Sequence, residues 1–101
     1  MDRRMVQQLQ QMQNKLMKAQ EELGTLTVEG TAGGSAVRVV MNGHRELQSI
    51  TIAPEAVDPD DVETLQDMLM AAFNDASKKA QELSEQKLGG LTGGMNIPGL
   101  F

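Results

Sequence analysis

Apolar residues recur at alternating spacings of four and three between Arg3 and Leu23, a pattern that predicts an amphipathic helix with a heptad stripe. The stripe consists of Met5, Leu9, Met12, Leu16, Ala19 and Leu23. Gly24 follows the last apolar position and is predicted to end the helix as its C-cap. Because the stripe is so regular, we expect it to pack against a second helix.

The apolar period changes to two after Gly24, which predicts β-strands. Three strands are predicted, within residues 25–31, 35–42 and 45–53. The Gly33-Gly34 pair separates the first two strands, and Asn42-Gly43 separates the second from the third. An Asn-Gly pair is typical of a type I′ hairpin turn, in which both residues have positive φ. The strands are therefore expected to form an antiparallel sheet.

The third predicted strand changes phase, because Ile50 and Ile52 share one face whereas Leu47 falls on the other. One hypothesis is a β-bulge near Gln48 that restores the phase. The other is a second apolar patch on the sheet, a candidate dimer interface formed by Ala36, Val40 and Leu47. If helices cover one face of the sheet, an apolar strip on the other face or an unpaired edge strand has to be covered, most simply by a second copy of the chain.

The longest helical pattern is predicted over residues 58–88. Asp58 is assigned as the N-cap and Pro59 as the first helical residue, and Asp60 and Asp61 interact favourably with the positive end of the helix dipole. The apolar positions that follow at helical spacing are Val62, Leu65, Leu69, Ala72, Phe73, Ala76, Ala80 and Leu83. The helix is predicted to end at Gly89-Gly90. Residues 1–88 are thus expected to form one α+β domain with a helix, a three-stranded antiparallel sheet and a long second helix.

Residues 89–101 contain five Gly and one Pro, a composition that predicts a flexible C-terminal tail. The tail also contains apolar residues, among them Ile97 and Phe101, which are unusual in a plain linker. A protein partner for this tail is therefore one hypothesis.

The composition predicts a thin hydrophobic core. The chain has 101 residues with two Phe, no Tyr and no Trp, so eight Met together with Leu, Val and Ile have to fill the core. A second subunit is expected to complete so small a core, which predicts a homodimer. The chain has no Cys, no secretory leader and no apolar run of about 18 residues, which excludes disulfides and predicts a cytoplasmic protein without membrane contact.

Candidate catalytic and metal-binding residues are few. His44 is the only histidine, and the sequence offers no Cys and no second His for a triad or a metal site. Asp58, Asp60 and Asp61 form an acidic cluster, but helix capping explains it, and the Gly and distant Glu of a calcium loop are missing. The sequence therefore predicts no enzyme, no cofactor, no metal and no small-molecule substrate.

Nine Lys and Arg residues against fourteen Asp and Glu give a formal net charge of -5, so DNA binding would require segregated charge. If the two helices pack antiparallel, their ends away from the sheet form a relatively basic tip, and Lys15 and Lys18 add positive charge along the flank of the first helix. The tip is predicted to comprise Arg3, Arg4, Lys78, Lys79 and Lys87. The alternative interpretation is an ordinary solvated helix face.

Nearly the whole chain resembles the YbaB/EbfC family of bacterial nucleoid-associated proteins, which are small DNA-binding homodimers. The resemblance rests on MVQQLQQMQNKLMKAQEEL in the first helix, VEGTAGGSAVRVVMNGHRELQSITIAPEAV in the strands, and DPDDVETLQDMLMAAFNDASKKAQE followed by GGMNIPGLF. It implies a three-stranded antiparallel sheet with a helix at each end of the chain. It also implies a dimer whose helices project like the arms of tweezers around a DNA-sized space.

The resemblance and the charge pattern together predict a nucleoid-associated homodimer of the bacterial cytoplasm. We expect it to bind double-stranded DNA with weak or shape-based sequence preference and to affect chromosome organisation and gene expression. The family has no DNA-contact motif that transfers residue by residue, so the predicted phosphate contacts follow from charge position alone: Arg3, Arg4, Lys15, Lys18, Lys78, Lys79 and Lys87. A prefoldin-like holdase and a protein-interaction adaptor are the alternative functions.

Overall fold

The computed structural model describes residues 2–92, and its elements follow the predicted order. They are helix α1 (Arg3–Leu23), strands β1 (Thr27–Ala32), β2 (Val37–Asn42) and β3 (Leu47–Ile52), a 3₁₀ turn at Pro54–Ala56, and helix α2 (Val62–Thr92). The strands form one antiparallel sheet in the order β1-β2-β3. The α+β architecture is therefore confirmed. Residues 93–101, which make up most of the predicted tail, lie outside the described residues.

Helix α1 has the predicted bounds, with Asp2 as its N-cap and Gly24 as its C-cap. Its heptad stripe is covered by another helix along only part of its length. Ala19 and Leu23 are buried together with Leu88 of α2, whereas Met5 and Leu9 remain exposed. The expected helix partner thus packs against the C-terminal half of the stripe.

Helix α2 begins three residues later than predicted, because Asp61 rather than Asp58 caps it. Asp61 Oδ1 accepts a hydrogen bond from the backbone N of Thr64 at 3.3 Å, and Oδ2 accepts one from the Thr64 hydroxyl at 2.6 Å. Asp58 instead closes a turn before the helix by accepting from the backbone N of Asp60 at 2.9 Å. At its other end α2 continues beyond the predicted Gly89-Gly90 stop to Thr92.

Helix α2 lies directly on the backbone of β1, because small residues meet there. Ala72 and Ala76 are fully buried. A Cβ added at Gly30 of β1 would lie 2.1 Å from the carbonyl O of Ala72 and 2.4 Å from the backbone N of Ala76. Only glycine permits this approach. The core is completed by Val37, Val39 and Met41 of β2, with Val28, Ala32, Leu65, Met68 and Leu69 packed around it.

The connection between β2 and β3 is not the predicted type I′ turn. Within residues 2–92, positive φ occurs at Gly33, Gly34, Ser35 and Arg45, and neither Asn42 nor Gly43 has it. Asn42 is the last residue of β2, and Gly43 lies against the end of α1. A Cβ at Gly43 would lie 2.7 Å from the carbonyl O of Leu23. Gly43 is therefore required for close approach to α1.

The buried side chain of Asn42 ties this connection to the end of α1. Its Oδ1 accepts hydrogen bonds from the backbone N of His44 at 2.9 Å and of Glu46 at 3.0 Å. Its Nδ2 donates to the carbonyl O of Gly24 at 3.3 Å and to the Glu46 carboxylate at 2.8 Å. All four hydrogen-bonding positions of the amide are thus used.

Strand β3 contains the bulge that was one of the two hypotheses. The register pairs Val40 with Ser49 and Met41 with Leu47, so Gln48 is the extra residue. Residues paired directly across a sheet point to the same face. Leu47 therefore lies on the helix-facing side with Met41, whereas Val40 points to the opposite side. The three residues proposed as a dimer patch, Ala36, Val40 and Leu47, do not share one sheet face.

Strand β3 is an edge strand that α2 leaves largely uncovered. The helix packs over β1 and β2, and Leu47 and Ile50 are 48% and 47% exposed. An apolar groove between β3 and α2 is lined by Ile50, Met70 and Phe73, among others. Phe73 was expected to face the core, but it is 45% exposed at the rim of this groove. The unpaired apolar surface lies on the helix side of the sheet.

Candidate nucleic-acid interface

The C-terminal half of α2 runs antiparallel to α1, as predicted. Lys87 Nζ lies 2.7 Å from Glu22 Oε2 near the end of α1. Gly90, further along α2, shares a crevice with Gln8 and Met12, nearer the start of α1. The two helices project from the sheet as one arm, and the molecule measures 69 × 24 × 15 Å.

Lys79 does not lie at the end of this arm. Its Nζ donates to the carbonyl O of Glu29 in β1 at 2.9 Å and pairs with the Asp75 carboxylate at 3.2 Å. Asp75 in turn accepts a hydrogen bond from the backbone N of Thr31 at 3.1 Å. The hydrogen bond from Thr31, followed by that from Lys79, lowers the pKa of the Asp75 carboxyl. Lys79 is thus part of the contact between α2 and the sheet.

The predicted basic tip is therefore divided. From Lys79, about 16 Å of helix leads to Gly90, and about 12 Å of α1 then separates Met12 from Arg4, at 1.5 Å rise per residue. Lys78, which is exposed, lies beside Lys79 at the level of the sheet. The structure separates Lys78 and Lys79 from Arg3 and Arg4 along the long axis of the molecule.

Three predicted cations do converge, at a groove between the two helices. The interhelical groove is lined by Lys15, Lys18, Ala19, Glu22, Gln86, Lys87 and Gly90. Lys15 and Lys18 are exposed, and Lys87 is partly buried beside the Glu22 carboxylate. Lys87, with a smaller contribution from Lys18, lowers the pKa of the Glu22 carboxyl. The local charge of this groove is positive in a chain that is acidic overall.

Polar side chains continue from this groove along one face of α1. They recur at spacings of four and three, parallel to the apolar heptad stripe, and all are exposed. We call this set the basic stripe: Arg4, Gln8, Gln11, Lys15 and Lys18. It extends about 21 Å along the helix. The heptad spacing in the sequence contains the signal for the basic stripe. Charge alone does not reveal the stripe, because two of its members are glutamines.

The remaining cations lie elsewhere. Arg3 precedes the basic stripe on a different side of α1, since successive residues are about 100° apart around a helix. Arg38 is exposed on β2. Arg45, within the β2–β3 connection, donates to Gln81 Oε1 of α2.

The described residues contain no group of three or more His, Cys, Asp or Glu side chains arranged to hold a metal ion. In the same part of the chain, no helix combines the length and apolar character needed to cross a membrane.

The model of the YbaB/EbfC DNA-binding family matches residues 1–95. The chain belongs to this family. Relatives with the name "Nucleoid-associated protein" include one from Roseiflexus castenholzii, 64% identical over 97 residues that cover 96% of each chain. Another, from Chloroflexus aurantiacus, is 62% identical over 99 residues, covering 98% of this chain and 97% of the relative. A third, from Pelotomaculum thermopropionicum, is 58% identical over 98 residues, covering 97% of this chain and 93% of the relative.

The fold also matches a solved structure. The crystal structure of the uncharacterized protein HP0035 from Helicobacter pylori superimposes with a TM-score of 0.78 at 26% sequence identity. The match covers 92% of this chain and 99% of that one. The solved structure thus shares the fold, whereas the family assignment rests on the sequence match and is to a DNA-binding family.

Proposed function

We propose that this YbaB/EbfC protein is a nucleoid-associated protein that binds duplex DNA through the basic stripe of α1 and the adjoining interhelical groove. The observation that carries the proposal is the convergence of Lys15, Lys18 and Lys87 on one groove, in line with Arg4 and two glutamines. Lysine and arginine neutralise phosphates, and glutamine amides donate hydrogen bonds to phosphate oxygens. A stripe of about 21 Å corresponds to roughly six base pairs at 3.4 Å per step.

Phosphate contacts of this kind position a protein on DNA without reading the sequence. The stripe contains no aromatic side chain for stacking on bases. We therefore propose weak or shape-based sequence preference, and a role in chromosome organisation and gene expression through coating the bacterial nucleoid.

The proposal is tested by fluorescence anisotropy with a labelled duplex over a salt series. Lys15→Gln combined with Lys18→Gln is expected to weaken binding at least tenfold at low salt. It should also reduce the slope of log affinity against log salt by about 1.8 for each basic stripe that contacts the duplex, because each lost phosphate contact accounts for about 0.9. Lys78→Gln is the control for position, since it removes one positive charge from α2 outside the basic stripe.

Two results would contradict this assignment. Wild-type protein that fails to bind duplex DNA even at low salt would contradict the DNA-binding function. Suppression of client aggregation by the same protein would then favour the holdase alternative. If Lys78→Gln lost as much DNA affinity as the double variant, the DNA-binding surface would instead include the sheet end of α2.

We also propose that the protein is a homodimer joined through the helix side of β3 rather than through Ala36 and Val40. Leu47, Ile50 and Phe73 expose apolar area beside an unpaired edge strand, a combination that monomeric proteins usually cover. A two-fold axis through this surface would present two basic stripes, one from each subunit.

The dimer surface is tested by light scattering coupled to size exclusion. The wild type is expected at twice the 11.0 kDa chain mass. Phe73→Glu is expected to elute at the single-chain mass, because it places a charge in the apolar groove. Met17→Glu, which changes an exposed apolar residue of α1, serves as the control and should remain dimeric. A dimeric Phe73→Glu would exclude this surface.

A further inference from the structure

Glu22 is the one acidic side chain among the described residues that line the interhelical groove. Its Oε2 lies 2.7 Å from Lys87 Nζ, a direct ion pair between α1 and α2. Carboxylate and phosphate oxygens are equivalent partners for an ammonium group, because both are anionic hydrogen-bond acceptors. Glu22 thus holds the position beside Lys87 that a DNA phosphate would take.

The Glu22–Lys87 pair is open to exchange. The two side chains are 42% and 36% exposed, and exposed ion pairs stabilise a protein only slightly. Lys15 and Lys18 differ from Lys87 in this respect. Among the described side chains, ion pairs within 4 Å are formed by Lys79 and Lys87 and not by these two.

We infer that Glu22 is an internal competitor of DNA for Lys87, and that a backbone phosphate displaces its carboxylate when the duplex enters the interhelical groove. This inference rests on the proposed DNA-binding function and names an affinity-limiting residue within it. Lys15 and Lys18 hold the duplex in either state, whereas Lys87 contributes only after Glu22 has moved aside.

The test measures duplex affinity by anisotropy for Glu22→Gln, with Glu21→Gln as the matched control. Glu21 is the neighbouring glutamate, exposed and outside the groove lining, so its substitution changes net charge equally. Glu22→Gln is expected to bind about two- to fivefold tighter than wild type, the range that an exposed ion pair corresponds to, and Glu21→Gln to gain less. In a Lys87→Gln background the advantage of Glu22→Gln over Glu21→Gln should become smaller, because only the weaker interaction of Glu22 with Lys18 remains.

A second variant separates competition from net charge. Glu22→Asp keeps the charge but withdraws the carboxylate from Lys87 by one methylene, so it too is expected to bind DNA more tightly than wild type. Circular dichroism confirms that each variant is folded.

Three outcomes would overturn the inference while leaving the proposed function intact. They are equal gains in Glu22→Gln and Glu21→Gln, a Glu22→Gln gain that persists in full without Lys87, and weaker binding by a folded Glu22→Gln. Wild-type protein that does not bind DNA would instead overturn the proposed function, and this inference with it.

Discussion

Replacing Gly30 with Ala is expected to push α2 away from the sheet. The added methyl would lie 2.1 Å from the Ala72 carbonyl O, 2.4 Å from the Ala76 backbone N and 2.8 Å from the Ala76 Cβ. Atoms that pack without strain are roughly 3.5–4.0 Å apart, so the helix must shift by about 1 Å or more. No flexible side chain is available to move aside, because all three atoms belong to the backbone or are attached directly to it. Overpacking costs about 1–3 kcal/mol, and we expect the upper end of that range here.

Thermal unfolding followed by circular dichroism measures this cost at fixed protein concentration. In a domain of this size 1 kcal/mol corresponds to roughly 4–8 °C, so Gly30→Ala is expected to lower the melting temperature by roughly 12–24 °C. Gly90→Ala is the control, since its Cβ would enter open space in a helix. It should raise stability by up to about 1 kcal/mol. A melting temperature of Gly30→Ala within about 3 °C of wild type would refute the close contact of α2 with β1.

Three further predictions concern stability. Asn42→Ala removes four hydrogen bonds, three within the β2–β3 connection and one to Gly24 at the end of α1, and urea unfolding should show a loss of about 2–3 kcal/mol. The Asp75 carboxyl has a folded pKa below its usual 3.8, so the stability it contributes is present above that pH and is lost as pH falls through the folded value. Asp75→Asn should therefore be less stable than wild type at neutral pH, and the difference should shrink in acid; a difference independent of pH would contradict this. Lys79→Gln should reduce stability by less than about 1 kcal/mol and affect DNA affinity no more than Lys78→Gln.

Periodicity was sufficient to predict most of the fold. The heptad stripe and Gly24 defined α1 to the residue, because its apolar face and its stop signal are local features. The start of α2 was harder to predict, because residues 58–61 contain three aspartates able to cap a helix. Thr64, three residues after Asp61, donates its hydroxyl hydrogen to the Asp61 carboxylate and is the signal that distinguishes Asp61 from the other two.

Features that depend on which surfaces meet could not be predicted from periodicity. In the sequence, Gly30 looks like an ordinary glycine within a strand. Its role in the close approach of α2 is evident only from its contacts with Ala72 and Ala76. Asn42-Gly43 has the composition of a tight turn, and only contact with Leu23 gives Gly43 a different role.

The prediction that Arg4 and Lys79 lie together in one basic tip was wrong for a geometric reason. Whether Lys79 lies near Arg4 depends on how much of α2 lies on the sheet before the helix reaches α1. Residue spacing within each helix carries no information about that length. Charges within a single helix, such as Arg4 and Lys18, could be aligned correctly from spacing alone.

The continuity of α2 constrains how the arms can vary in length. The same helix lies on the sheet at Ala76 and carries Lys87 in the arm, so a single residue inserted between them would rotate Lys87 by about 100° away from α1. An insertion of seven residues would restore the direction to within about 20° and lengthen the arm by roughly 10 Å. A matching heptad in α1 would keep the two helices in register. Under the proposed DNA-binding function, each such pair of added heptads would extend the reach of the arm by roughly three base pairs.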